Sequence, residues 1–388
     1  MSGLRPRLGV VTPVHWKAFM GGAQYQIRCL LDYLRKRNRY DIAYFASRLP
    51  HEPAMDGYEL HRIGPGGSTP RFGYAMHALP LYRRLQAWQP DVIYQRIGCA
   101  YTGIAAYYAR RTGARLVWHA SSDADLDCDR RVAERNVIRR ELDNVLLAYG
   151  IRNADRIVVQ TAHQAQLLAE HYRRKPDAII ANFHPIPAEV PEPRDPIRIV
   201  WIANFKRLKQ PEAFLRLAAS LRDVERARFV MIGAAAAVER AWSDELLRSI
   251  AAAPNVDYLG PLSQDAVNAE LAGAYVFVNT SLYEGFPNTF IQAWLREVPV
   301  VSLSVDPDGV LHREQVGIRA GTEEQLANVI RRLITDRPFR DKLAGNAGEY
   351  AREFHSLQNV QRLADVIDGA LPTRAASGTL AARTGERA

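Results

Sequence analysis

Short apolar runs rich in β-branched residues alternate with stretches of helical periodicity along the whole chain. The run 7–13, RLGVVTP, reads as a strand. In 23–37, AQYQIRCLLDYLRKR, Ile27, Leu30, Leu31 and Leu34 fall at i, i+3, i+4 and i+7, the stripe of an amphipathic helix. Further strands are predicted at 91–96 (DVIYQR), 115–120, 155–161 and 177–182, with helical stretches between them. This alternation predicts a doubly wound parallel sheet, because parallel strands need crossover helices. The pattern breaks at 184–196, HPIPAEVPEPRDP, where five prolines forbid a helix or a central strand. A second alternation follows, with strands at 197–204, 227–233, 256–260, 274–281 and 299–303, helices near 211–222 and 238–251, and closing helices over 323–370. The expected architecture is α/β: two Rossmann-like doubly wound domains facing across a cleft. Residues 1–190 form the first and 191–351 the second. A C-terminal helix, 352–371, is expected to pack back towards the first domain, ahead of a flexible tail, 372–388. In such sheets ligands bind beyond the carboxyl ends of the strands.

Composition adds limits to this picture. A chain of 388 residues with 47% hydrophobic residues supports more than one core. Cys29, Cys99 and Cys128 are scattered, with neither metal-ligand spacing nor a disulfide framework. That suits a reducing cytoplasm. The first apolar run stops at Pro13, too short for a signal peptide, and no stretch of 18 apolar residues occurs. Charge is uneven. Residues 1–185 hold 27 Lys and Arg against 16 Asp and Glu, whereas residues 186–388 hold 24 against 26. The basic first half is the one expected to face an anionic partner. No Gly-x-Gly-x-x-Gly follows a strand, no Walker lysine motif is present, and GPGGS at 64–68 lacks the spacing of either. No nucleic-acid partner is expected.

The chemistry concentrates at 281–294, SLYEGFPNTFIQAW, where Glu284, Gly285 and Pro287 stand between a buried strand and a helix. EGFPNTFIQAWLREVPVV resembles the signature of the retaining glycosyltransferases of family four, which have the GT-B fold. That signature runs Glu-Gly-Phe-Gly or Glu-Gly-Phe-Pro, a second Glu eight positions on, then Pro-Val-Val. The resemblance extends over most of the chain. It takes in Gly21-Gly22 before the first helix, a His after a first-domain strand, NADRIVVQT before the linker, and a Lys after the first strand of the second domain.

The resemblance implies a nucleotide-sugar donor held by the second domain. Glu284 would contact hexose hydroxyls, and the Gly285–Phe286 loop lets backbone approach the sugar. Asn288 and Thr289 at a helix start suit a diphosphate. Gln292 replaces the second acid, which receives the ribose hydroxyls. In WIANFKRLKQPE (201–212), Lys209 falls on the family's diphosphate-binding lysine. Asn204 falls where an Arg is usual, with Lys206 or Arg207 able to supply the missing charge. Gly21 and Gly22 offer helix-terminal amides from the opposite domain. His119 matches a histidine that lies by the anomeric carbon, so His119, Glu284 and Lys209 are the expected catalytic residues. Asp123 begins a polar loop expected near the acceptor.

No cofactor or metal is expected, since Lys209 and helix termini can balance the leaving diphosphate. Asp123, Asp125, Asp127 and Asp129, with Glu134, mimic a calcium loop but have Cys128 where a Gly is required. Asp-x-Asp would also suit a metal-dependent GT-A transferase, a rival that leaves 284–292 unexplained. The other rivals are a GT-B-fold sugar-nucleotide epimerase and a non-catalytic nucleotide-sugar-binding protein. The expected acceptor is a glycan or a lipid-linked molecule, as in bacterial surface polysaccharide or glycolipid synthesis. Arg35, Lys36, Arg37, Arg39, Arg110 and Arg111 are the candidates for peripheral contact with an anionic membrane.

Overall fold

The computed structural model describes residues 5–50, 57–64, 73–127, 137–235 and 239–372. The expected tail beyond Pro372, most of the GPGGS segment, Cys128, Asp129 and Glu134 lie outside the described residues.

Two parallel sheets account for the alternation. The first joins β1 (Arg7–Val11), β2 (Asp41–Ala46), β3 (Glu59–Arg62), β4 (Val92–Arg96), β5 (Arg115–His119), β6 (Arg156–Val159) and β7 (Ala178–Ile179), in the spatial order β3-β2-β1-β4-β5-β6-β7. The second joins β8 (Ile197–Ile202), β9 (Ala227–Ile232), β10 (Val256–Gly260), β11 (Val276–Asn279), β12 (Val300–Ser302) and β13 (Gly317–Arg319), in the order β10-β9-β8-β11-β12-β13. Strand order reverses at β1/β4 and at β8/β11, so each sheet opens a crevice at its carboxyl edge. These are two Rossmann-like domains in the GT-B arrangement, which rules against the GT-A rival. The strand at 41–46 was not anticipated. DIAYFA is buried along nearly its whole length, so it lacks the alternation that marks a half-exposed strand.

Each sheet is covered on both faces. Ile27, Leu30, Leu31 and Leu34 of the first helix (Gly22–Arg37) pack on Val10, Tyr94 and Val117. The last helix (Gln358–Ala370) follows the second domain in sequence, yet Val360, Leu363 and Ile367 join this same cluster. Fully burying such a side chain contributes roughly 1.5–3 kcal/mol, so these three residues tie the end of the chain to the first domain. In the second domain, Phe290, Ile291 and Trp294 of the helix Asn288–Trp294 pack with Val200, Phe277 and Val300.

The linker begins as part of the core. Phe183 is fully buried and Asn182 and His184 nearly so. Phe183 N–H donates to Gln26 Oε1 at 3.1 Å, and Gln26 Nε2 donates to Phe183 O at 2.8 Å.

Candidate active site

The carboxyl edges of the two sheets face each other across a cleft of about 1000 Å³. The second domain contributes Asn204, Lys206 and Lys209 after β8, the loop 283–289 after β11, and Gln292. The first contributes Gly21 and Gly22 at the start of its first helix, Arg96 at the end of β4, Ser121 to Asp123 after β5, and Asn182 and His184.

On the second-domain wall, Lys209 Nζ pairs with Glu284 Oε1, and Ser281 Oγ donates to the same oxygen at 2.8 Å. Thr280 Oγ1 donates to Lys209 O at 2.6 Å, which fixes the backbone of the lysine against β11. Glu284 is thus held by one carboxylate oxygen. Lys206 stands open to the cleft but is crowded by protein. Burial, and then the neighbouring charge of Lys209, hold its pKa below the usual lysine value. The Gln292 amide nitrogen donates to Asn268 Oδ1 at 2.9 Å, which leaves Oε1 as its acceptor beside the cleft. Asn204 Oδ1 accepts from Ala234 N–H at 3.1 Å and braces the loops after β8 and β9.

Three of the expected donor-binding residues are occupied otherwise. Arg207 is not part of the cleft lining. Its guanidinium pairs with Glu239 at 3.0 Å and lies over the Trp242 ring at 5.0 Å. Phe286 is buried against Trp294 and His355, so the side chain anchors the loop, and its carbonyl accepts from Asn182 Nδ2 at 3.0 Å. Asn288 Oδ1 accepts from Gln26 Nε2 at 2.8 Å and from His184 Nε2 at 3.0 Å. Its side chain therefore joins the domains, while Thr289 lines the cleft.

Close approach explains two glycines. A Cβ on Gly22 would collide with the Asn288 amide, and one on Gly285 would sit 2.9 Å from Gln164 Nε2 and 3.2 Å from Ser122 Cα. The domains meet at both points. A third contact crosses at Asp308, held at φ 51°, whose carboxylate accepts from Ala162 and His163 N–H at 2.8 and 3.0 Å. It thereby meets the first amides of the first-domain helix Ala162–Tyr172. The buried His184 ring stacks on Tyr25 at 4.5 Å. Burial is the main cause that holds its pKa down to about 3.

Asp123 lines the cleft. Its Oδ1 accepts from Gln164 Nε2 at 3.1 Å and its Oδ2 lies 3.8 Å from His163 Nε2. Asp125 is not part of the cleft lining. Its Oδ2 accepts from Ser121 N–H, Ser121 Oγ and Ser122 N–H at 2.6, 2.7 and 3.2 Å.

His119 lies behind the first-domain wall. It is 1% exposed and outside the cleft lining. Burial, and then the charge of Arg96, hold its pKa well below the usual histidine value. Arg96 is its register partner on β4 and does line the cleft. Sequence reasoning missed Arg96, Asn182, Gln26, His184 and Asp308. The one available signal was a lone arginine at the end of an apolar strand, YQR, where a charge has no structural reason to stand.

Comparisons with known proteins identify the family and the fold. The family model described as Glycosyltransferase Family 4 matches residues 20–189, and that described as Glycosyl transferases group 1 matches residues 196–336. The D-inositol 3-phosphate glycosyltransferase of Stackebrandtia nassauensis is 26% identical over 255 residues, 58% of this chain and 57% of that protein. Its counterpart in Corynebacterium diphtheriae is 26% identical over 57% of each chain. The matched region thus spans little more than half the length of these relatives. Among solved structures, the sucrose-phosphate synthase of Thermosynechococcus elongatus has a TM-score of 0.75 at 16% identity, over 94% of this chain and 99% of its own. Anabaena HepE in complex with UDP and glucose has a TM-score of 0.74 at 16% identity, over 94% of this chain and 100% of its own. At such identities the structural likeness shows the fold alone.

Proposed function

The chain belongs to the group 1, family 4 glycosyltransferases, and from that premise we propose that it transfers a hexosyl unit from a nucleotide sugar to a glycan or lipid-linked acceptor, with retention at the anomeric carbon. The observation that carries this reading is the pairing of walls across one cleft. Lys209, Glu284, Lys206 and Gln292 stand on one side, and the uncapped helix start at Gly21–Gly22 on the other. Cations and free amides suit a diphosphate. Glu284 keeps an oxygen for sugar hydroxyls, and Gln292 Oε1 suits a ribose hydroxyl.

A donor panel tests the reading. Thermal shift with UDP-, GDP- and ADP-sugars should single out one base, since a ligand at 100 times its Kd stabilises by about 2.7 kcal/mol. Incubation with and without acceptor then separates transfer from epimerisation. Gln292→Ala should weaken the selected nucleotide by about tenfold or less, the loss of one neutral hydrogen bond of about 0.5–1.5 kcal/mol. Equal affinity of variant and wild type for every nucleotide would remove Gln292 from the ribose site.

We further propose peripheral contact with anionic membrane at the amino edge of the first sheet. Both the first helix and the helix Ala100–Thr112 run against the parallel strands and end at that edge, where Arg35, Lys36, Arg37, Arg110 and Arg111 are exposed. Arg39 is paired with Asp368 and adds less. The cleft then opens away from the bilayer, which favours an acceptor glycan long enough to reach round the domain. Among the described residues no helix is long and apolar enough to cross a membrane. In flotation assays the protein should rise with anionic liposomes at low salt and stay down at high salt, because a Debye length shrinks from about 30 Å at 0.01 M to about 3 Å at 1 M. Retention in the soluble fraction at low salt would end the membrane proposal and leave the transferase reading intact.

A further inference from the structure

Arg96 and His119 stand side by side at the carboxyl ends of β4 and β5. Each is 1% exposed. The partners of Arg96 are neutral. Its Nη2 donates to Asn182 Oδ1 at 2.7 Å, and its Nη1 lies 3.4 Å from His119 Nδ1. The Tyr94 hydroxyl lies 2.9 Å from the same Nδ1.

The donor and acceptor roles follow from the guanidinium, which can only donate. Arg96 presents an N–H to Nδ1, so the Tyr94 hydroxyl beside it meets that same nitrogen as a donor. Both neighbours require Nδ1 to accept, and a neutral imidazole that accepts at Nδ1 carries its proton at Nε2. Nε2 is buried and has no hydrogen-bond partner among the described residues. A buried donor left in that state calls for a partner, and His119 stands directly behind Arg96, which lines the cleft.

We propose that Arg96, acting with Tyr94, is a positioning residue that holds His119 as the neutral Nε2–H tautomer, so that His119 offers a hydrogen-bond donor to an oxygen of the bound sugar substrate. The use of that donor in catalysis rests on the transferase reading, whereas the tautomer itself does not. The charge of Arg96 opposes protonation of the ring, in the same direction as burial. The arrangement also reaches the other domain. Asn182 Oδ1 accepts from Arg96 while its Nδ2 donates to Phe286 O at 3.0 Å. The backbone of the loop that carries Glu284 thus fixes the asparagine, the asparagine fixes the guanidinium, and the guanidinium fixes the histidine.

Long-range proton–nitrogen NMR of the full chain labelled with [¹⁵N]histidine tests this, with His119→Gln identifying the signals. The wild-type ring should show a protonated Nε2 and an unprotonated Nδ1, unchanged between pH 5.5 and 8. An Nδ1–H tautomer or a charged ring overturns the proposal without any variant, which matters if Arg96→Met fails to fold. In a folded Arg96→Met protein, both tautomers should be populated and titration should move towards neutral pH. The transfer rate should fall roughly 10–100-fold, the scale seen for partners that orient metal-bound histidines, with donor KM little changed. Arg96→Lys, which keeps the charge and a donor, should restore part of both. An unchanged tautomer in Arg96→Met overturns the positioning role. If donor affinity is nonetheless lost, Arg96 binds an anionic group directly. If the tautomer is as stated but no nucleotide sugar is turned over, the transferase reading fails and the tautomer stands.

Discussion

Replacing His119 by alanine lowers the transfer rate roughly 10²–10³-fold, the usual cost of removing one preorganised donor from a site where charge develops. Affinity for the donor nucleotide stays close to that of the wild type. The structure gives the reason for this split. His119 is buried, has a pKa held well below the usual histidine value by burial and then by Arg96, and has an Nε2 with no partner among the described residues. Such a donor gains most where an oxygen becomes more negative on the way to the transition state, and little in the ground state. The folded pKa lies well below 6.5. Lowering the pH from 7.5 to 6 therefore does not protonate the ring, and the wild-type rate shows no acid limb from His119 in that interval. Single-turnover rates at saturating donor, together with calorimetric nucleotide affinities, make the measurement. Equal rates for His119→Ala and wild type would remove the residue from catalysis. A loss confined to affinity would make it a ground-state binding group.

Lys209→Met weakens binding of the nucleoside diphosphate itself. A hydrogen bond to a charged group contributes about 1.5–3 kcal/mol, which is roughly 10–150-fold in Kd. The variant has a second effect, because Lys209 is the ion-pair partner of Glu284. Without the lysine, Glu284 is left as an unbalanced anion beside the site for a diphosphate, with Lys206 as the nearest remaining cation of that wall. The double variant Lys209→Met/Glu284→Gln should therefore bind nucleotide better than the single one, while transferring no sugar faster. Calorimetry with UDP, GDP and ADP decides the matter. A Lys209→Met protein that binds its nucleotide as the wild type does would reduce the lysine to a partner of Glu284.

The site was unevenly legible. Lys209, Glu284, Gly285 and Gln292 follow strands whose apolar runs are plain in the chain, so their place at a carboxyl edge could be read directly. Arg207 lies in the same segment but pairs with Glu239, 32 positions away. Asn288 is part of the motif, yet its side chain meets Gln26, 262 positions away. No local pattern carries such information, because side-chain direction at a loop or helix start is set by what packs opposite.

The sequence by itself determined the twin doubly wound architecture, the Pro-rich crossing between the domains, and which strand ends carry the charged groups. These follow from short-range physics: β-branched runs, a 3.6-residue apolar stripe, and prolines that cannot enter a helix or a central strand. The tertiary structure alone decided what the two edges do to each other. It set the burial of Asn182 and His184 under the crossing. It carried the carboxylate of Asp308 to the first amides of a helix in the other domain. It placed the guanidinium of Arg96 between Asn182 and His119. A hydrogen bond depends on distance and angle at a few ångströms. Those are fixed only once both sheets have twisted, packed and closed on one another.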